Sequence, residues 1–396
     1  MKKIIALLLA LVMVFALVAC GNTNEQPTGN PNPGTEGPAT DSKGRYPAET
    51  VKIGFVNYDT TAEQVLIFQN YIDYLDDYFN IEFMWSESLT DASGEIAFIE
   101  NCAAAGCDAI FGYYNVCNEE AVKRATELGM YYWGQGGNLA IQETQSMNPK
   151  YLGSFYTGNA DYEYGKACIE MLVEAGAHKI IMVSGGKAIG VDMFIQRYNG
   201  AMDAIAAAKA SGYDIEVVYE VAGFPGNDEF TAQQAQALAT DADGLCSLLT
   251  ALMWIQPMQE SGRFGQIKVA AVDTLSEGSV GMFGAGMYVG TATEIVDVFG
   301  MCVPMIINAV EGYGEQQRNA DGSAPLPQVN FWKVTNVADA GYFASVQGGE
   351  NGDAWVWDYE DIQSLLYAYN PDLTIEDFSA MYSAVTAEEI QARRAD

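Results

Sequence analysis

The chain has 396 residues, with 52 acidic residues against 19 Lys and Arg, and therefore a formal net charge of −33 at pH 7. Such an anionic surface repels phosphate backbones and argues against a nucleic-acid partner, while 49% hydrophobic residues exclude a chain that is disordered throughout. The single histidine, His178, excludes metal sites built from several histidines and leaves one base for any Ser-His or Cys-His pair.

Residues 1–20 have the arrangement of a secretion signal. Two lysines precede sixteen residues, Ile4 to Ala19, without a charge or a strongly polar group, which is short for a membrane span. The end of this segment, LVAC followed by glycine, resembles a bacterial lipoprotein box. The resemblance implies that the chain is cut before Cys20 and that this cysteine is lipidated. The protein is then anchored to the cell membrane on its extracytoplasmic side, with an uncleaved anchor helix as the alternative.

Residues 21–49 predict a disordered tether between the lipidated end and the folded body. They contain five of the chain's twelve prolines, five glycines and no large aliphatic residue. A segment of this composition cannot bury a core and behaves as a flexible linker. We therefore expect the folded part to begin at about Val51.

From there the chain alternates apolar, strand-like runs with amphipathic helices. A first series predicts strands over 51–58, 81–87, 105–115 and 129–135 and helices over 62–78, 93–105 and 119–128. After a loop rich in Asn, Gln and Pro, a second series predicts strands over 151–157, 179–186, 215–223, 244–250, 267–274, 286–293 and 331–337. Its helices are predicted over 161–175, 194–211, 231–242, 251–261 and 295–310. Repeated βα units with continuous apolar strands predict parallel sheets covered on both faces, here in two lobes with a cleft between them.

Several segments resemble the type I periplasmic binding proteins, the ribose- and galactose-binding group related to lac-repressor cores. The resemblance covers residues 51–337. VKIGFV (51–56) is similar to the family's opening strand, and residues 161–186 to the start of its second lobe, with Gly165 and Gly176 in matching places. Arg197-Tyr-Asn-Gly200 matches the family's Arg-x-x-Gly, and VAAVD (269–273) matches the strand that ends in an aspartate.

The resemblance implies an α/β protein with two doubly wound parallel-sheet lobes, joined by a multi-strand hinge around a ligand cleft. The first lobe would hold residues 50–156 and about 293–330, the second 157–292 and about 331–345, and residues 346–396 would form an acidic C-terminal extension. The implied function is capture of a small polar solute, above all a carbohydrate, and delivery to an ABC transporter permease. We expect a monomer without cofactor, metal or catalysis. The alternatives are a nucleoside or amine ligand, and signalling to a membrane kinase or chemoreceptor.

The residues that follow the predicted strands are the candidate ligand contacts, because ligands bind beyond the carboxyl ends of parallel strands. Asp273 ends its strand where the family places an aspartate that accepts hydrogen bonds from ligand hydroxyls or amines. Aromatic side chains in such positions can stack on a sugar ring, and polar ones beside them can bind its hydroxyls. The candidate set is Tyr58, Asp59, Trp133, Gln135, Phe224, Trp254 and Asp273.

Most of these candidates also have a packing or capping interpretation. Asp59 equally fits the N-cap of the first helix, and Asp273 fits an N-cap for the segment after it. Trp133, Phe224 and Trp254 are compatible with ordinary core packing. A hydrolase that uses the two aspartates as paired carboxylates is a further alternative, although nothing in the sequence favours that pair over simple recognition.

Departures from the sugar-binding pattern predict a less charged pocket. Where those proteins usually carry Asp-Arg after the fourth strand, this chain has Gly134-Gln135, and Ile195 replaces an arginine of the ribose-type pattern. Arg197 is expected to form a structural ion pair, and His178 to lie on a solvated loop. The six cysteines after Cys20 are expected to be buried thiols, with a disulfide as the alternative.

Overall fold

The computed structural model describes residues 37–89, 91–113, 117–135, 139–155, 159–190, 192–223, 225–226, 228–293, 295–348, 352, 354–383 and 386–394. The predicted signal, Cys20 and the predicted tether up to residue 36 lie outside these residues, and so does the candidate contact Phe224. The described residues from Pro38 onward belong to one unit.

The first lobe is built on five parallel strands: β1 (Tyr46–Val56), β2 (Phe79–Trp85), β3 (Ala109–Gly112), β4 (Tyr131–Gly134) and β5 (Tyr151–Ser154). Their order in the sheet is β2-β1-β3-β4-β5. The helices between and after them are α1 (Glu63–Asp76), α2 (Ala92–Ala104), α3 (Asn118–Glu127) and α4 (Leu139–Gln145). Every residue of β3 and β5 is buried, as is typical of parallel strands covered on both faces.

The second lobe is built on β6 (Lys179–Val183), β7 (Glu216–Val221), β8 (Gly244–Ser247), β9 (Lys268–Val272), β10 (Tyr288–Thr293) and β11 (Trp332–Val334). The sheet order is β11-β10-β9-β8-β6-β7, with β11 antiparallel to β10 and the remaining pairs parallel. Its helices are α5 (Ala160–Glu174), α6 (Asp192–Ala210), α7 (Asp228–Leu238), α8 (Ile255–Glu260) and α9 (Glu277–Gly284).

The chain passes between the two lobes more than once. After β10 it returns to the first lobe as a 3₁₀ helix (Val296–Met301) that continues into α10 (Cys302–Asn308), and the Phe299 ring lies 5.8 Å from that of Phe68 on α1. It then enters the second sheet as β11. Within the described residues, the helical run Val296–Tyr313 is long and apolar enough to span a membrane. Because 78% of its apolar window is buried in the molecule, we interpret it as a core helix.

The C-terminal extension (residues 346–394) is folded into this core. It follows α11 (Val337–Ser345) and contains β12 (Gln347–Gly348), β13 (Ala354–Trp355), α12 (Tyr359–Ser364), α13 (Ile375–Met381) and α14 (Ala387–Arg394). On the first lobe, the Trp355 ring lies 4.6 Å from Tyr71. Towards the second sheet, the Trp357 ring lies 6.2 Å from Trp332 on β11. The extension therefore packs on both lobes.

The α/β class with parallel sheets is confirmed, and each predicted strand is present among the described residues. The start of the folded part differs from the prediction, because β1 begins at Tyr46. Arg45 forms ion pairs with Asp41 and Asp76, and Tyr46 is buried in the core. The last residues of the predicted tether are thus part of the first lobe. The polar composition of residues 38–49 did not indicate this packing, because a few buried side chains are enough to hold the segment on the lobe.

The cysteines of the described residues are all free thiols. Cys117 is half-buried, and the others are buried, as the buried-thiol interpretation predicts: Cys102, Cys107, Cys168, Cys246 and Cys302. His178 is exposed, with its ring stacked on Tyr213 at a centroid distance of 4.9 Å.

Candidate ligand-binding site

A cavity of about 550 Å³ lies between the lobes, beyond the carboxyl ends of the strands of both sheets. Tyr113 and Gln135 follow β3 and β4 on one side, and Thr250 and Asp273 follow β8 and β9 on the other. This is the place where open parallel sheets bind ligands, because there the connections diverge and leave a crevice. The volume falls within the range of small-molecule sites.

Aromatic and amide side chains form the wall that belongs to the first lobe. The rings of Tyr58 and Tyr113 lie 5.6 Å apart, and Phe299 packs 5.2 Å from Tyr113. The Gln64 side-chain amide donates a hydrogen bond of 2.9 Å to the Tyr58 hydroxyl and another to that of Tyr113. Burial raises the pKa of Tyr58, so its phenol is neutral at physiological pH. This wall offers ring faces, hydroxyls and the nearby amide of Gln135.

Asp273 supplies a buried carboxylate to the wall of the second lobe. Its residue is 7% exposed, Oδ1 accepts a 2.9 Å hydrogen bond from the Thr274 N–H, and Oδ2 accepts one from the Tyr288 hydroxyl. Burial raises the pKa of Asp273 to about 6, although hydrogen bonds from Tyr288, Thr250 and the backbone act in the opposite direction. At neutral pH it is a charged acceptor in a nearly dry position.

Arg197 lies on the same wall and is held on several sides. Its Nε donates to Asp161 at 2.8 Å and its Nη1 donates to the Leu248 carbonyl at 2.9 Å. The guanidinium carbon is 5.5 Å from the ring centroids of both Tyr164 and Phe194. The ion pair predicted for Arg197 is confirmed, and the side chain also lines the cavity.

Sequence comparison finds neither a matching protein-family model nor a matching curated protein. The fold matches many solved structures. One is an ABC transporter solute-binding protein from Bacillus halodurans C-125 with bound myo-inositol, at 16% identity, 78% coverage of this chain, 99% coverage of that chain and a TM-score of 0.55. A periplasmic sugar-binding protein from Pseudomonas fluorescens matches at 14% identity, covering 83% of this chain and 99% of that one, with a TM-score of 0.60.

A third match is a periplasmic solute-binding protein from Actinobacillus succinogenes 130z with bound D-allose. It is 15% identical, with 74% of this chain and 99% of that chain covered and a TM-score of 0.56. The chain has the type I periplasmic binding fold. At such low identity the likeness concerns the fold, and the ligand has to be argued from the cavity itself.

Three of the seven predicted contacts meet at the cavity of this periplasmic binding fold: Tyr58, Gln135 and Asp273. Asp59 is not among the lining residues. Its carboxylate accepts hydrogen bonds from the N–H of Thr61 at 2.8 Å and from its hydroxyl at 2.7 Å, which lowers its pKa. Of the two aspartates that the hydrolase alternative requires, Asp273 lines the cavity and Asp59 does not.

The two predicted tryptophans lie in the core rather than on the cavity. Trp133 and Trp254 are fully buried and belong to the main hydrophobic cluster. In the short 3₁₀ helix 252–254, Leu252 and Met253 line the cavity, whereas Trp254 packs 6.3 Å from Phe230. The packing interpretation therefore describes both indoles. Phe224, the remaining aromatic candidate, lies outside the described residues.

Several lining residues were not among the predicted contacts. They are contributed by helix starts and crossing segments rather than by strand ends: Glu63, Gln64, Tyr164, Phe194, Arg197 and Phe299. Except for Phe299, which lies in the 3₁₀ helix after β10, they belong to the first six residues of α1, α5 and α6, and this position could have pointed to them. Among the described residues, no group of three His, Cys, Asp or Glu side chains is arranged to hold a metal ion.

Proposed function

We propose that the protein is an extracytoplasmic, lipid-anchored solute-binding protein that captures a monosaccharide or cyclic polyol and delivers it to an ABC transporter permease. The observation that carries this proposal is the cavity between the lobes, with ring faces, hydroxyls, amides and a buried carboxylate on its walls. Two proteins of the same fold support the proposal, because they are solute-binding proteins with myo-inositol and D-allose bound.

The wall chemistry matches a small polyhydroxylated ring. The ring of Tyr58, which is 38% exposed and packs on Tyr113, offers an apolar face to the C–H side of a sugar, which is the contact that aromatic residues make best. Gln135, Thr250 and Asp273 offer amide, hydroxyl and carboxylate groups to its hydroxyls. A ligand surrounded by both kinds of group satisfies its polar atoms while its carbon skeleton is removed from water.

Binding is coupled to closure because the two walls belong to different lobes. A ligand that contacts Tyr58 on one lobe and Asp273 on the other gains its full set of contacts only when the lobes are close together. It shifts an open–closed equilibrium by the difference between its affinities for the two states. Delivery to a permease then follows from recognition of the closed form.

A ligand screen tests the proposal directly. The chain without residues 1–20 is heated in the presence of neutral sugars, cyclic polyols, nucleosides and amines. A ligand at 100 times its dissociation constant stabilises the folded state by about 2.7 kcal/mol, which is readily visible as a higher melting temperature. We expect a shift with at least one sugar or polyol. A shift with a nucleoside or amine alone would contradict the carbohydrate assignment.

Replacing Tyr58 with alanine is expected to weaken binding of the ligand found in this screen by about tenfold, because a stacking face on the cavity wall is lost. Isothermal titration calorimetry measures the change. Tyr78→Ala is the matched control, since Tyr78 is 39% exposed compared with 38% for Tyr58 but does not line the cavity. Equal ligand affinities of the two variants would show that Tyr58 does not contribute to binding.

Replacing Cys20 with serine is expected to abolish lipidation and to release the protein from the membrane fraction, because serine has no thiol to accept the lipid. Incorporation of a labelled fatty acid and cell fractionation provide the measurement. Cys117→Ser, which changes a half-buried thiol of the folded body, is expected to leave both properties as in the wild type. Absence of fatty-acid label from the wild type, with both the wild type and the Cys20 variant in the membrane fraction, would argue for an uncleaved anchor instead.

A further inference from the structure

Apolar side chains from two segments of the second lobe share one part of the cavity wall. One segment is the turn after β8, and the other is the start of α6. None of these side chains is fully buried, and all of them line the cavity: Met193, Leu249, Leu252 and Met253. Because partly exposed apolar groups inside a cleft are typical of ligand contacts, this surface, called the apolar wall below, is a candidate subsite.

Packing and a hydrogen bond fix the turn after β8. The Gln234 side-chain amide donates to the Met253 carbonyl at 3.2 Å, and the next residue, Trp254, is anchored in the core. A Cβ atom added at Gly278, in the first turn of α9, would lie 3.2 Å from a methyl group of Leu252, so that side chain rests closely on the helix. The turn therefore holds Leu252 and Met253 in place on the cavity wall.

The start of α6 lies beside this turn. Arg197 on α6 donates a hydrogen bond of 2.9 Å from Nη1 to the carbonyl of Leu248, the residue before Leu249. Met193 precedes Arg197 by four residues and therefore lies on the same face of the helix, one turn nearer its start. Met193 is 37% exposed and lines the cavity. It thus extends the apolar wall from the turn onto α6.

The neighbouring part of the same lobe is polar. Thr250, which belongs to the turn after β8, and Tyr288 both form hydrogen bonds with the Asp273 carboxylate. A sugar hydroxyl placed against Leu252 or Met253 instead would lose its water partners without gaining a donor or acceptor, which is costly. A polyol ring therefore fits the polar part and leaves the apolar wall for a different part of the ligand.

The cavity has room for such a part. Its volume of about 550 Å³ lies within the range of sites that take drug-sized molecules, and a hexose is much smaller than these. An alkyl or aryl group matches the apolar wall, because it has no polar atom to satisfy and its burial removes apolar surface of both partners from water. The flexible thioethers of Met193 and Met253 adapt to groups of different shape.

We propose that the ligand is a glycoside whose alkyl or aryl substituent lies on the apolar wall while its sugar ring lies between Tyr58 and Asp273. This inference rests on the proposed function and deepens it. It names a substituted sugar as the substrate class, and it assigns a second subsite of the cavity to the substituent.

The test compares ligands that differ only in this substituent. The protein without residues 1–20 is titrated calorimetrically with D-allose, D-glucose and D-galactose and with the methyl, propyl and phenyl glycosides of each in both anomeric forms. For myo-inositol, the O-methyl and O-propyl ethers are used. Because each methylene buried against an apolar surface tightens binding by about fourfold, we expect one propyl derivative to bind about tenfold more tightly than its methyl counterpart. Equal affinities of all methyl and propyl pairs would overturn the inference.

Met253→Gln keeps the length of the side chain and replaces its apolar end with an amide. We expect the ratio of propyl to methyl affinity to fall from about tenfold to about threefold or less, because the substituent then meets a group that binds water. Met147→Gln is the matched control and is expected to keep the wild-type ratio, since Met147 is 66% exposed and does not line the cavity. If the apolar wall served only as a contact between the lobes on closure, Met253→Gln would weaken every ligand in proportion. An unchanged ratio would therefore contradict the inference.

The outcomes separate this inference from the proposed function. If a free sugar or polyol binds and its substituents do not change the affinity, the apolar subsite is wrong and the solute-binding function stands. If no sugar, polyol or glycoside binds, or if a nucleoside alone binds, the proposed function fails and the inference fails with it. Should Met253→Gln not fold, Met193→Gln replaces it, because it changes an exposed side chain of the same apolar wall.

Discussion

Replacing Asp273 with asparagine is expected to raise the free energy of unfolding at pH 8 by about 3 kcal/mol. Burial raises the pKa of Asp273 from its ordinary value of 3.8 to about 6, and each pKa unit corresponds to about 1.4 kcal/mol. Asparagine keeps an acceptor for the Thr274 N–H, and the hydroxyl of Tyr288 can accept a hydrogen bond from its amide. The substitution therefore removes a buried charge and keeps partners for Thr274 and Tyr288. The carboxylate also accepts hydrogen bonds from the Thr250 hydroxyl and the Ala251 N–H, whose loss offsets part of the gain, so about 3 kcal/mol is its upper end.

The pH dependence has a defined sign. Between pH 4 and 6 the folded protein binds this proton more strongly than the unfolded chain, so stability falls as the pH rises through that window. The destabilisation is absent below about pH 4 and complete above about pH 6 to 7. Asp273→Asn should therefore gain stability only at the higher pH values. Urea denaturation at pH 4, 6 and 8 measures the effect.

Asp59→Asn is the matched control, because hydrogen bonds from Thr61 lower the pKa of that carboxyl. A lowered pKa contributes stability that is lost as the pH falls. Asp59→Asn should therefore be less stable than the wild type at the higher pH values, whereas Asp273→Asn should be more stable there. Asp273→Asn should also weaken ligand binding, since a charged acceptor on the cavity wall is lost. A gain in stability combined with a loss of affinity is typical of a residue kept for function. A variant that is less stable than the wild type at pH 8 would show instead that the carboxylate is a structural anchor.

Replacing Trp357 with alanine is expected to lower the free energy of unfolding by about 3–5 kcal/mol, the usual cost of removing a large aromatic side chain from a core. Trp357 is 1% exposed, its indole donates to the Met381 carbonyl at 2.8 Å, and its ring lies 4.7 Å from Tyr382. The substitution leaves a cavity and an unpaired carbonyl at the centre of the C-terminal extension.

Chemical denaturation followed by far-UV circular dichroism measures this loss. Val337→Ala serves as the control, because Val337 is 48% exposed at the start of α11 and a surface change of this kind alters stability by about 0.5 kcal/mol or less. If Trp357→Ala proved as stable as the control, the extension would be an appendage rather than part of the core.

The architecture could be predicted because its signals are local and repeated. The four residues of β3 are all buried, and such continuous apolar runs between amphipathic helices identify parallel strands wherever they occur. The acidic C-terminal extension was not assigned any structure, although its helices begin with readable caps. Asp358 forms a capping box with Asp361, and Thr374 forms one with Asp377. What the sequence does not reveal is that Trp355 and Trp357, which precede these caps, are buried against both lobes.

The site could be predicted in its location along the chain but not in the direction of each side chain. Gln135 lines the cavity and Trp133, two residues earlier, packs in the core, because a side chain's direction depends on where its strand ends. Met253 lies on the cavity and Trp254 in the core because adjacent side chains of a 3₁₀ helix point in directions about 120° apart. The contact between Gln64 and Tyr113 joins residues 49 positions apart and depends on the pairing of β1 with β3.

The hydroxyl of Tyr71 donates a 2.6 Å hydrogen bond to the carbonyl of Trp357, 286 residues further along the chain. The core beneath α1 is therefore incomplete until the C-terminal extension has been synthesised. Contacts over such distances in sequence form slowly, because the intervening chain must first be brought together. For a protein that we propose to be exported, this delay has a use. A chain whose core closes only when its last helices are available would still be unfolded, and so able to cross a membrane, during such export.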